Sequence, residues 1–343
     1  MKKITFLSMM MFLLFISCKN KINDFPDFTY TTVYFPYQYP LRTIELGKDY
    51  IVDNSGDNAH NFLIEATMGG VYTNKKDVTI TVAVDNTLPT NVKFGTTTGP
   101  LALPMPASYY TLDASNQIVI KPGDLSDGIS VHLTDAFFAD PLSLKNTYVI
   151  PLRMTEVVNA DSILSGRTSM TNPNPLIAAN WVTVPKNFVL FAVKYINPWH
   201  GNYLRRGQDA ATGGGLDTTM NYHQKYVEYD QVVSMSSLSL SAVKLSLTTR
   251  NKGSATNLPF DLQLAVDNAG KITVTTVTGT TPTYTVSGTG DYVTDGDMWG
   301  DKKRDVMRLK YQVNFGTTTH SFSDTIVLRD RGMKFETFTP YAF

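Results

Sequence analysis

A single cysteine in 343 residues excludes an internal disulfide, so packing alone must hold this chain together. Charge is sparse and cancels: Lys+Arg and Asp+Glu both number 30, and charged residues make up 17%. No basic excess points to nucleic acid, and no acidic tail points to a charged partner. Long helical patterns with caps are missing. The five histidines, at 60, 132, 200, 223 and 320, show no HExxH or other ligand spacing. A GxSxG nucleophile elbow is absent. Gly213–Gly215 lack the Gly-Lys-Ser/Thr of a phosphate loop and read as a flexible loop. Disorder is excluded in turn, because apolar residues reach 42%. The length exceeds what one core usually organises, which suggests two domains.

The first residues read as a targeting segment. Lys2 and Lys3 precede an apolar run from Ile4 to Ile16, followed by Ser17-Cys18. A charged start, an apolar centre and a small residue at the cut describe a secretory signal over 1–17. The run is short for a membrane span. Cys18 stands where a bacterial lipobox would place the lipidated cysteine, although Phe15 replaces the commoner leucine. The alternative is an ordinary signal followed by an incidental cysteine. Residues 18–27 then form a lipidated tether. The expectation is an exported, lipid-anchored protein.

Beyond the tether, strand follows strand. Val78, Ile80, Val82 and Val84 alternate with Asp77, Thr79, Thr81 and Ala83, a period of two. Tyr148, Ile150, Leu152 and Met154 form another alternating set, and Pro151 within it predicts an edge or bulged strand. Short strands between Gly, Pro and Asp turns suggest a β-sandwich. Asn159 to Pro175 is a long polar connection, placed as a loop before this domain's last strand. That strand is Phe188 to Ile196 (FVLFAVKYI), apolar enough to be buried on both faces. Asn197-Pro198 breaks it, because proline lacks a donor and restricts its predecessor. The predicted units are therefore 28–196 and 197–343.

The second unit repeats the style with longer strands. Met307, Leu309, Tyr311, Val313 and Phe315 alternate with polar neighbours, and Gly316-Thr317-Thr318-Thr319 turns the chain back. Asp267 to Gly270 is a hairpin signature. The fold class is all-β: an immunoglobulin-like sandwich, then an antiparallel barrel or sandwich, between which periodicity does not choose.

Several stretches resemble a known family: TVYFPYQYPLRTIELG (32–47), VYTNKKDVTITVAVDN (71–86), LTDAFFADPLSLKNTYVIPLRMT (133–155), VKYINPWHGNYLRRG (193–207), WGDKKRDVMRLKYQVNF (299–315) and LRDRGMKFE (328–336). They look like the two-domain lipoproteins of gut Bacteroidota encoded in glycan-utilisation loci. The first half resembles the immunoglobulin-like module found ahead of some family 18 endo-glycosidases, and the second an uncharacterised β-rich domain. The resemblance implies a lipid-anchored outer-membrane protein facing the cell surface or the periplasm, with a glycan as partner and an outer-membrane transporter or glycosidase as neighbour. It implies no cofactor. The catalytic DxxDxDxE run of family 18 is absent, so the expectation is binding without catalysis. The alternative is a structural partner of a transport complex with no sugar site.

Sugar binding needs flat apolar platforms and planar polar groups. Trp199, Tyr203, Arg205, Asp297 and Trp299 are the candidates, with Tyr222 and Tyr226 behind them. Core cover is the competing role for Trp199 and Trp299. An ion pair is the competing role for Arg205-Arg206. Trp181 reads as packing. Asp291 to Asp301 (DYVTDGDMWGD) holds four aspartates, which suit either calcium or a solvated acidic turn.

Overall fold

The computed structural model describes residues 26–343. Cys18, the signal segment and most of the tether lie outside the described residues. The chain is nearly all-β, with 52% strand and 6% helix, as the alternating patterns require. No described helix is long and apolar enough to cross a membrane.

The first unit is a sandwich of two sheets. One sheet runs Ser162–Ile163, Thr32–Tyr34, Asn61–Gly69, Ser126–Leu133, Tyr110–Leu112. The other runs Glu336–Thr337, Pro40–Glu45, Phe188–Ile196, Tyr148–Val158, Val78–Val84, Gln117–Ile120. Their inward positions meet in one core: Ile64 and Ala66 from the first sheet face Ile80, Ile150 and Val193 from the second.

Phe188–Ile196 is buried on both faces for a visible reason. Val189, Val193 and Tyr195 enter the sandwich core. Phe188, Leu190 and Ala192 point the other way, into a second cluster with Leu88, Val92 and Phe94. A loop folded over the outer face thus makes a continuous apolar strand necessary. Tyr148–Val158 is bulged between Met154 and Glu156, but it is interior, flanked by Phe188–Ile196 and Val78–Val84. Pro151 is tolerated because it faces Asp85, just past the end of the neighbouring strand. Its carbonyl accepts from the Asp85 N–H at 2.9 Å, and its missing donor falls where that strand has stopped.

At the junction, Asn197 is fully buried. Its Nδ2 donates to the carbonyls of Ser239 and Ala242, both at 2.8 Å, and its N–H to Ser237 Oγ at 2.9 Å. Pro198 packs on Gly47, whose φ is +87° and where a Cβ would lie 2.6 Å from the proline ring. Only glycine fits there.

The second unit is a closed barrel of eight strands. In order they are Gly201–Gly213, Gln231–Ser237, Ala242–Thr249, Leu258–Val266, Lys271–Thr275, Thr285–Trp299, Lys302–Asn314 and Thr319–Asp330. The last pairs back on the first, from Asn202↔Asp330 to Thr212↔Thr319, which closes the ring. A further strand, Leu216–Tyr222, extends the sheet from Gly207–Gly213, and the small diameter of the barrel fills with side chains. Leu245, Leu262, Leu264, Met307 and Ile326 are among the residues that fill it. The chain then leaves the barrel. Glu336–Thr337 pairs with Pro40-Leu41, and Pro340–Ala342 with Val92–Phe94. Residues 336–342, assigned to the second unit by sequence, therefore complete the sheets of the first.

Candidate functional site

The sequence candidates divide between two places. Gly201 already begins a barrel strand, so alternation turns Tyr203, Arg205 and Asp209 inward. Tyr203 and Arg205 are each 1% exposed. The Tyr203 hydroxyl donates to the Trp199 carbonyl at 2.8 Å. Arg205 Nε donates to Asp324 Oδ2 at 2.9 Å, and Nη1 to Gln231 Oε1 at 3.2 Å. Neither is open to a sugar, which corrects their place among the binding candidates. Arg206, on the opposite face, pairs with Asp230 at 2.6 Å.

Trp199 and Trp299 are half-buried at the junction end of the barrel. The Trp199 ring meets Tyr292 edge-on, with centroids 6.0 Å apart. Trp299 lies under the Arg304 guanidinium, 5.5 Å away, and Arg304 also covers the Tyr50 ring at 4.7 Å. Tyr50 comes from the sandwich. Its hydroxyl sits between Asp295 Oδ1 at 2.7 Å and Asp305 Oδ1 at 2.6 Å. Trp199, Trp299 and Tyr50 thus serve the contact between the two units. Asp297 sits in the bulge of its strand, 3.7 Å from Arg308. Trp181 donates from Nε1 to the Asn174 carbonyl at 2.8 Å, pinning the long loop.

The acidic stretch does not gather round one point. Asp291 pairs with Lys271, Asp295 with Lys48 and Asp297 with Arg308. Among the described residues, no group of three or more His, Cys, Asp and Glu is placed to hold a metal ion.

Sequence reasoning missed a polar strip inside the barrel. Asp209 and His320 are both fully buried. His320 Nδ1 faces Asp209 Oδ2 at 2.8 Å, and Nε2 faces Asn251 Oδ1 at 3.0 Å. Thr249 donates to Asp209 at 2.6 Å. Burial pushes the Asp324 carboxyl up, and the Arg205 charge opposes it. The Tyr311 hydroxyl donates to Asp324 at 2.7 Å. The signal was present: charged residues at 205 and 209 share the inward phase of their strand with Tyr203 and Ala211.

The second missed feature is a cleft of about 700 Å³ on the sandwich. Its walls include Tyr37, Arg42, Asp53, Glu65, Lys334 and Phe335. Tyr37 and Phe335 are 56% and 69% exposed, and their rings lie 5.3 Å apart. Phe62 and Phe191 stack beneath at 5.2 Å. Arg42 is steered by Asp57 at 2.6 Å, and buried Asp57 also accepts from the Glu45 N–H at 3.0 Å. Glu45, at the back, pairs with Arg331 at 3.4 Å. Burial raises the Glu45 carboxyl to about 7 despite the Arg331 charge. The arrangement offers two exposed rings, a fixed guanidinium and carboxylates to one occupant. Phe335 reaches it because the chain returns from the barrel, a placement no local pattern announces.

Two family models match: an N-terminal-domain model over residues 28–161 and a domain of unknown function, DUF5627, over 198–332. No curated protein matches. A crystal structure of a Bacteroides ovatus protein of unknown function superposes with a TM-score of 0.85 at 42% identity, covering 92% of this chain and all of that one. A second B. ovatus protein of unknown function gives 0.42 at 12% identity, covering 90% of this chain and all of that one. An auxiliary nutrient binding protein from Bacteroides thetaiotaomicron gives 0.35 at 12% identity, covering 84% of this chain and 90% of that one.

Proposed function

Since the chain belongs to the family of the two-domain Bacteroides ovatus protein, with DUF5627 as its second unit, we propose that it is a non-catalytic glycan-binding protein. The observation that carries this reading is the exposed Tyr37–Phe335 pair over a cleft that also presents Arg42, Asp53 and Glu65. Aromatic faces match the C–H faces of a pyranose, and the charged rim matches its hydroxyls. The junction tryptophans have a packing role instead. The non-catalytic reading rests on the sequence, which lacks the DxxDxDxE run of family 18 chemistry.

We place the protein on the outer membrane through lipidated Cys18, a reading that rests on the sequence of residues 1–18. Cys18→Ala should then release it from membranes, because one tether carries the attachment. Retention after a carbonate wash would contradict this.

The binding reading is tested on a glycan array with the wild-type chain and Phe335→Ala. Bound sugars should be lost from the variant while its melting temperature stays unchanged. A second reading, a partner surface in a transport complex, is favoured by the exposure of Val52 and Leu63 in the same cleft. That reading predicts no array signal and co-purification with an outer-membrane transporter that Phe335→Ala weakens.

A further inference from the structure

One end of the sandwich carries exposed aromatic rings. Thr32–Tyr34, Val78–Val84 and Ser126–Leu133 start there, and Asn61–Gly69 and Tyr148–Val158 finish there. Residues 70–77 and 121–125 cross between the two sheets at this end. The described chain also enters here. The Phe28 N–H donates to the Gly70 carbonyl at 2.8 Å, and the Tyr72 N–H to Asp27 Oδ1 at 2.7 Å. The Thr31 N–H donates to Asp161 Oδ2 at 2.7 Å. Residues 27–31 and 70–72 are thereby fixed side by side. The Phe28, Tyr30 and Tyr72 rings they carry are 78%, 58% and 66% exposed. Large rings held in the open by ordered backbone mark a surface that meets a partner.

Two observations identify that partner. Only residues 18–25 separate Cys18 from this end, and an extended chain of that length reaches no more than about 28 Å. A lipid on Cys18 therefore keeps the bilayer surface within reach of the rings. Second, charge cancels locally. Lys121 pairs with Asp77 at 3.5 Å, and Asp27 and Asp161 accept from backbone N–H groups. Lys75 and Lys76 are exposed on the same loop as Tyr72. Tyrosine rings sit at headgroup level, phenylalanine reaches the acyl boundary, and lysine stems extend past both to the phosphates.

From this placement we infer that the tether end of the sandwich is a membrane-resting face, which lays Phe28, Tyr30 and Tyr72 into the headgroup layer and sets the protein's stance on its anchor. The inference rests on the reading of Cys18 as the lipidated residue. Ile196, from which the chain passes to the barrel, lies beyond Tyr148, at the other end of the sheet from Val158. Docking thus directs the barrel away from the bilayer. The cleft stays open as well: Glu45 pairs with Ile196, and Phe62 lies near the start of the strand whose far end, Gly69, faces the membrane.

The test uses the single cysteine. The mature chain, starting at Cys18, is coupled through its thiol to a maleimide lipid in vesicles of phosphatidylcholine and phosphatidylethanolamine, so attachment does not depend on lipidation in the cell. Amide hydrogen exchange is then compared with the uncoupled chain. Residues 28–31 and 70–76 should exchange about tenfold more slowly on the vesicles, with the barrel strands unchanged. Sodium chloride should leave the slowing in place, because no net charge drives it. Phe28→Ser combined with Tyr72→Ser changes exposed positions, so this variant should fold and stay coupled yet lose the slowing. Unslowed exchange in the wild type, slowing abolished by salt, or slowing that survives the double substitution would overturn the inference. So would slowing centred on Tyr37 and Phe335, or the same slowing in the concentrated uncoupled chain, the mark of a second copy on this face. The anchor itself is judged separately, by release of Cys18→Ala from cell membranes.

Discussion

Arg331 ties the barrel's exit to the sandwich, and removing it gives the most quantitative test of how the units are joined. It is 2% exposed. Its Nη2 donates to the carbonyls of Leu46 at 3.0 Å and Asn197 at 2.8 Å, and Nη1 to that of Lys48 at 3.3 Å. Arg331→Met keeps much of the volume but leaves those carbonyls without their donor and Glu45 without its cation. Breaking a buried pair from one side costs about 3–5 kcal/mol. At about 2 °C per kcal/mol, the melting temperature should fall by about 6–10 °C. The loss should also depend on pH. Glu45 titrates at about 7 in the fold against 4.5 for the ordinary group. A raised carboxyl favours the folded state at low pH, and that contribution fades as pH rises from the ordinary value through the folded one. Without Arg331, whose charge lowers the Glu45 value, the fade continues to higher pH. Calorimetric unfolding should therefore show a larger penalty for Arg331→Met at pH ~8.5 than at pH ~5.5. Glu45→Gln in the same background should recover most of the difference. An equal penalty at both pH values would refute the coupling, and a penalty under about 1 kcal/mol would refute the anchoring role.

His200 makes the opposite pH contribution. Its Nδ1 accepts from the Ser237 N–H at 3.1 Å, and burial, helped by Arg331 and Lys194, lowers it to about 4. Its contribution to stability is present above the ordinary value near 6.5 and declines as pH falls towards about 4. NMR should find the ring neutral at pH ~5.5, and a ring titrating near its ordinary value would contradict the packing described. Gly207→Ala should destabilise by about 1–3 kcal/mol in denaturant titration, because a Cβ there would lie 2.0 Å from Asp324 Oδ1; an unchanged midpoint would refute the closeness of that contact. Trp199→Ala should cost about 2 kcal/mol, roughly half a core tryptophan, while glycan affinity stays the same; lost affinity with unchanged melting would return Trp199 to the binding site.

Much of the fold was legible because alternation is enforced residue by residue. Met307 to Val313 announce a one-sided strand, and Phe188 to Ile196 a strand covered twice. Closure of the barrel was not legible, since it depends on Gly201–Gly213 meeting Thr319–Asp330 across more than a hundred residues. The return of 336–342 to the sandwich was hidden for the same reason. The site was read least well. Trp199 and Trp299 looked like platforms because their neighbours are polar, but that end of the barrel meets Tyr50 of the sandwich, which Arg304 covers together with Trp299. Tyr203 and Arg205 looked accessible because they closely follow the Asn197-Pro198 break, yet a buried strand already begins at Gly201. Tyr37 and Phe335 were unmarked because their meeting is tertiary.

The central claim is that the sandwich cleft binds sugar on Tyr37 and Phe335. Its most direct measurement is calorimetric titration of wild type, Tyr37→Ala and Phe335→Ala with the strongest glycan found on the array. Each exposed ring should be worth about 1–3 kcal/mol, or roughly tenfold to a hundredfold in affinity, with melting unchanged. Wild-type affinity in both variants would contradict the claim.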